Sequence, residues 1–205
     1  MFLAPHAVQA AHAVAPVWQR LLYDFPSHRL KPYGAVGIPG TVKLMQANAL
    51  GPRGEKHIGL IRLVRDIVRG VRAKDYPAEV AAVYHWACRN YRYVRDPVHN
   101  EMLEDPVAFM ERGFTADCDD IAQWLAACCQ ILGNPTRFVT VGFSRSPQPD
   151  FTHVFTEAYI GRAKGWVTVD PVAGPMTDAM ARAATWRGHW PLDSDMGRPQ
   201  ILKLR

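Results

Sequence analysis

Apolar and polar positions follow two different rhythms along this chain. From residue 55 to 72, Ile58, Ile61, Val64, Ile67, Val68 and Val71 recur every third or fourth position, with Arg62, Arg65, Arg69 and Arg72 between them. That spacing predicts an amphipathic helix. A second helix is predicted from Pro77, a residue suited to a first turn, with Val80, Val83, Tyr84 and Ala87 inward and an end near Asn90. Asp105-Pro106 opens a short helix that Gly113 closes. Residues 118–132 place Ile121, Leu125, Cys128 and Leu132 on one stripe, with Thr115 or Asp117 as cap and Gly133 as stop. The period then changes to two. Residues 136–143, 152–160 and 166–170 read as strands, separated by a loop over 144–151 and a Gly161–Gly165 turn. Helices first, then helix–strand–strand–strand, predict an α+β fold with a central helix packed on an antiparallel sheet.

The two ends read differently. Residues 6–23 predict an apolar helix around Val8, Val14, Val17, Leu21 and Leu22, kinked or broken at Pro16. Residues 31–54 hold five glycines and three prolines and predict a long irregular connection. Residues 177–187 predict one more helix, and the last fifteen residues a tail. The division expected is a helix and Gly/Pro-rich arm over 1–54, a core over 55–175, and a C-terminal helix and tail over 176–205.

Composition narrows the class. With 205 residues, 48% hydrophobic and 21% charged, the chain suits one folded domain with extensions, not a disordered polymer. No run approaches the roughly 20 apolar residues that a membrane helix needs. The opening MFLAPHAVQAAHAVAP has no basic start and is interrupted by Pro5, His6, Gln9 and His12, so it reads as a helix or arm and not an export signal. Four cysteines are too few for a disulfide framework, which predicts free thiols in a reducing, cytoplasmic setting. Residues 1–100 carry a net charge of +8 and residues 101–170 a net −5. The basic half could meet a polyanion. A solvated helix face is the preferred reading, and nucleic acid is not an expected partner, because no nucleic-acid motif accompanies the arginines. Phosphate-binding glycine loops, G-x-S-x-G and paired C-x-x-C knuckles are absent, so neither nucleotide nor zinc is expected. Cys88 and Cys128 are expected to be core thiols, and Trp124 and Trp166 core aromatics.

One constellation carries chemistry. Cys118 opens the long helix, His153 lies on the second strand and Asp170 ends the third. A helix N-terminus favours thiolate over thiol. If the last two strands pair antiparallel about a turn centred near residue 163, His153 and Asp170 lie about three residues out of register, within reach at one sheet edge. A nucleophilic sulfur needs a base, and an imidazole needs a carboxylate to fix its tautomer. Each residue alone has an ordinary reading: a small core thiol, a surface histidine, a turn former before proline. The three in this order and context are harder to explain that way.

The segments TADCDDIAQWLAACCQILGNPTRFVTV, FTHVFTEAYI and GWVTVDP resemble the three core motifs of the transglutaminase-like cysteine peptidase superfamily. NYRYVRDP and EDPVAFMERG resemble the segment before the cysteine in small bacterial and phage members with a D-C-D-D motif. The resemblance spans about residues 77–172. It implies a papain-like core, with Cys118 as nucleophile, His153 as base and Asp170 as orienting carboxylate. The implied reaction is acyl transfer on a protein or peptide amide through a thioester, most simply hydrolysis, with no cofactor. An amine acyltransferase is one alternative. A phage or prophage assembly component, docking other virion proteins through residues 1–54, is another, and would place the protein in a virion. One oxyanion donor is expected to be the Cys118 backbone N–H; the second is open among Asn90, Tyr91 and Tyr93. Asp117, Asp119 and Asp120 flank the nucleophile. Capping and solvation account for Asp117 and Asp119, while Asp120 is the expected helper, orienting His153 or a basic substrate group. No metal is expected, although calcium near such a cluster in related peptidases makes Asp117 and Asp119 the place to look.

Overall fold

The computed structural model describes residues 37–96 and 102–204. The helix expected over 6–23, and His99, lie outside them. In chain order the helices are α1 (Gly37–Leu50), α2 (Ile58–Ile67), α3 (Tyr76–Asn90), α4 (Pro106–Glu111), α5 (Cys118–Ile131) and α6 (Thr177–Ala183). The strands are β1 (Arg92–Tyr93), β2 (Thr115–Ala116), β3 (Thr136–Gly142), β4 (His153–Tyr159), β5 (Trp166–Val169), β6 (Trp186–Pro191) and β7 (Gln200–Lys203). β3 to β7 form one sheet in the order β5-β4-β3-β6-β7, antiparallel throughout, while β1 and β2 pair in parallel. The fold is α+β, as expected. No helix among the described residues is long and apolar enough to cross a membrane.

α5 is the axis of the core. Nearly every residue from Asp119 to Cys129 is buried, so it is covered on all sides. Leu125, Trp124 and Cys128 share one apolar cluster with Val42, Met45 and Ala49 of α1, Leu60 and Leu63 of α2, and Val83 of α3. The same cluster takes in Phe138, Val154, Ala158 and Trp190 from the inner sheet face. Thr156 fastens β4 to α5 by donating its hydroxyl to the Ala122 carbonyl at 2.7 Å. The outer face of the sheet is covered in part by α6, where Val139, Val141 and Phe155 meet Ala181 and Ala184.

Three expectations are corrected. Residues 37–50 are helical and belong to the core, not to an irregular arm. Gly37, Pro39 and Gly40 fall in the first turn, where proline is tolerated, and Gly51 and Gly54 lie past the end. Between them Val42, Met45 and Ala49 repeat at helical spacing and are buried. The helix expected over 177–187 stops at Ala183, β6 begins at Trp186, and the expected tail supplies β7. Trp186, Gly188 and Trp190 alternate inward along β6, and a side chain at Gly188 would come within 2.4 Å of Thr140 Oγ1. Cys88 is exposed rather than in the core, while Cys128 and Trp124 are buried.

Candidate active site

Local geometry delivers Cys118 to the start of α5. Asp105 caps α4, accepting from the Val107 and Ala108 N–H groups, and Gly113 and Phe114 then both take left-handed conformations. That double turn reverses the chain into β2, which pairs with β1 so that Tyr93 stands opposite Ala116. The Tyr91 hydroxyl bridges the carbonyls of Ala116 and Asp117, 3.1 Å from each. Asp117 then caps α5 through the Asp119 N–H. The strand, the tyrosine and the cap hold the residue before Cys118 from three directions.

His153 and Asp170 meet as the strand pairing allows. Thr156 faces Val169 and Glu157 faces Thr168. Carried one step further, this register sets Asp170 opposite Phe155, on the same strand as His153 and two residues away. His153 Nε2 lies 2.9 Å from Asp170 Oδ2, and the two side chains are 10% and 2% exposed. Asp170 Oδ1 accepts the backbone N–H groups of Val172 and Ala173. A carboxylate accepting there makes Nε2 the donor nitrogen and leaves Nδ1 as the acceptor.

Cys118 is half-buried, and its sulfur takes stabilisation from the backbone N–H of Val154, the residue after His153, and from its own N–H. Cys118, His153 and Asp170 therefore converge at one end of β4. Its protonation differs from the sequence-based expectation. Burial, followed by the Asp117 carboxylate, pushes the thiol up to about 12, against which the two N–H groups act only in part. Desolvation and like charge outweigh the helix terminus, so the resting sulfur keeps its proton.

The other expected residues separate. Asp120 does not reach toward His153: it is 1% exposed and accepts the Glu104 N–H at 2.7 Å, fixing the segment before α4. Asn90 donates to the Trp86 carbonyl at 2.8 Å, closing its own helix. Tyr93 is 49% exposed, and partial burial first, then the fields of Cys118 and Asp117, push its hydroxyl above the ordinary tyrosine value.

The acidic residues form a tight group. Ligand atoms of Asp117, Asp119 and Asp120 all lie within 4.8 Å of one another. Asp119 is 4% exposed, and neither carboxylate oxygen meets an N–H or O–H donor. Burial first, and the facing Asp117 and Asp120 carboxylates after it, hold its carboxyl well above the usual range. Asp120 is raised by burial likewise, although the Glu104 N–H opposes the shift. Two buried Asp119 oxygens that lack donors, with the Asp117 and Asp120 carboxylates beside them, suit either a shared proton or a hard cation.

One contact has no counterpart in the sequence reading. Thr177, at the start of α6, sets its hydroxyl 2.9 Å from Asp170 Oδ2. Nothing in its spacing or neighbours marks it, since a threonine after Gly-Pro-Met reads as an ordinary helix opening.

The sequence profile of the transglutaminase-like superfamily matches residues 61–171, which include Cys118, His153 and Asp170. No curated protein sequence matches the chain. Among solved structures, a candidate protease from Parabacteroides distasonis superposes with a TM-score of 0.55 at 10% identity, over 82% of this chain and 32% of that one. A candidate cysteine protease from Cytophaga hutchinsonii gives 0.49 at 20% identity, over 85% and 55%. LapG of Legionella pneumophila, treated with EGTA, gives 0.46 at 15% identity, over 85% and 92%. The chain thus spans about half of the Cytophaga protein and a third of the Parabacteroides protein. At these identities the likeness concerns the fold alone.

Proposed function

This chain belongs to the transglutaminase-like superfamily, and from that membership we propose that it is a cysteine-dependent acyl-transfer enzyme that hydrolyses protein or peptide amides. The observation that carries the reading is the 2.9 Å His153–Asp170 contact beside a half-buried cysteine at the opening of α5. In the resting enzyme the sulfur is protonated, and His153 donates Nε2–H to Asp170. When an amide carbonyl is presented, the sulfur attacks the carbonyl carbon while its proton passes to His153 Nδ1. A lone thiolate is disfavoured among these carboxylates. A thiolate–imidazolium pair adds no net charge, and Asp170 holds the imidazolium. The developing oxyanion lies at the α5 N-terminus, with the Cys118 N–H as one donor. His153 then returns the proton to the leaving amine as the C–N bond breaks, leaving a thioester on Cys118. A water that gives its proton to His153 attacks that thioester and releases the acid.

The test is a peptide library digested by the wild-type protein and by Cys118→Ala, with new N-termini read by mass spectrometry and a fluorescent primary amine present in a parallel reaction. New termini in the wild type alone are expected. Amine incorporation that outruns cleavage would convert the reading to an acyltransferase. Identical products from both proteins would remove it.

A further inference from the structure

We propose that Thr177 is a positioning residue of this site: its buried hydroxyl completes the hydrogen-bond cage around Asp170 and so fixes the orientation of His153. The inference rests on the catalytic reading above and assigns a part to a residue outside the matched family segment, which ends at 171.

Asp170 is held on every side. Oδ1 takes the Val172 N–H at 2.9 Å and the Ala173 N–H at 3.4 Å. Oδ2 takes His153 Nε2 at 2.9 Å and Thr177 Oγ1 at 2.9 Å. The Thr177 hydroxyl also lies 2.9 Å from the Gly174 carbonyl. It has one proton for two acceptors, and an ionised carboxylate is the stronger of them. Thr177 is 1% exposed, so water does not replace either partner. Gly174, at a φ of 54°, turns the chain between the carboxylate and the threonine, and the Gly174 N–H returns to the Asp170 carbonyl at 3.0 Å. The next residue, Asp178, accepts from Thr168 of β5 at 3.0 Å, so the first turn of α6 is tied to the sheet beside the site.

The hydroxyl does not cap α6, whose N-cap is Met176 with no side-chain bond. It points back at the carboxylate. Without it, Oδ2 keeps a single donor, His153 itself, and the backbone N–H groups on Oδ1 alone hold the carboxylate against rotation.

The test uses the full chain and iodoacetamide, following alkylation of Cys118 by mass spectrometry across pH 5 to 8 in wild type, Thr177→Val, Thr177→Ser and His153→Gln. Far-ultraviolet circular dichroism confirms that each variant is folded. Removing a charge-assisted hydrogen bond is expected to slow Cys118 in Thr177→Val by about 10-fold across this range. Thr177→Ser, which keeps the hydroxyl, is expected to stay within about twofold of wild type. A Thr177→Val rate and profile equal to wild type, while His153→Gln is slow, overturns the role of Thr177 alone. A Thr177→Ser variant as slow as Thr177→Val also overturns it, because the methyl group's packing would then be responsible. If His153→Gln too reacts like wild type, the catalytic reading itself fails.

Discussion

Replacing His153 with glutamine will slow alkylation of Cys118 at pH 7 by about 10²–10⁴-fold, the range general-base assistance supplies, and leave exposed Cys88 unchanged. Glutamine can still donate to Asp170, so the carboxylate is not stranded and the fold is kept. What is lost is the acceptor at Nδ1. The thiol, pushed up to about 12 by burial and the Asp117 carboxylate, then has to ionise alone into a field of carboxylates. An ordinary exposed cysteine does not face that penalty. The expected outcome is therefore an inversion, with Cys118 the slower of the two in the variant. A His153→Gln protein whose Cys118 still outpaces Cys88 would show that the imidazole contributes nothing.

The second large effect is on stability. Asp119→Asn should stabilise the protein at pH 7 by about 1–3 kcal/mol, the range for leaving a buried polar group unsatisfied. The carboxyl of Asp119 is raised in the folded state by burial and by Asp117 and Asp120. The folded chain therefore binds this proton more tightly than the unfolded chain, and stability falls as pH rises above the ordinary carboxyl value. An asparagine amide removes the charge and can donate to Asp117. The gain should shrink toward pH 4, where the wild-type carboxyl is already protonated. Urea melts of both proteins at pH 4 and pH 7 measure it, and a variant less stable than wild type at pH 7 would contradict this account. Repeating the pH 7 melts with millimolar calcium assigns the trio. A rise in the wild type that Asp119→Asn lacks means a cation replaces the proton, and an equal response in both means it does not.

Much of the site was legible before any coordinates, because its parts belong to regular elements with strong periods. Helix α5, strands β3 to β5 and the antiparallel turn between Gly161 and Gly165 all follow from period and punctuation. The register inferred from that turn is one residue from the pairing of Thr156 with Val169. What could not be read depends on tertiary context. Gly37, Pro39 and Gly40 look like a loop until Val42, Met45 and Ala49 have α5 to pack against. β7 is exposed on both faces, so it has no alternation to betray it and exists as a strand because β6 pairs with it. Asp120 lies one turn into α5, and whether it faced His153 or Glu104 was a matter of helix phase against a neighbour not yet placed. The protonation of Cys118 depends on tertiary context in the same way, because burial is the first cause of its raised value. Helix dipoles are visible in sequence, but desolvation is not.

The central claim, that His153 and Asp170 activate Cys118, is tested most directly by competition within one molecule. A limiting amount of iodoacetamide is added to the native wild-type protein at pH 6–7, and the alkylated cysteines are mapped. This account predicts that half-buried Cys118 is modified before exposed Cys88. Modification of Cys88 first, or of both at one rate, would contradict it.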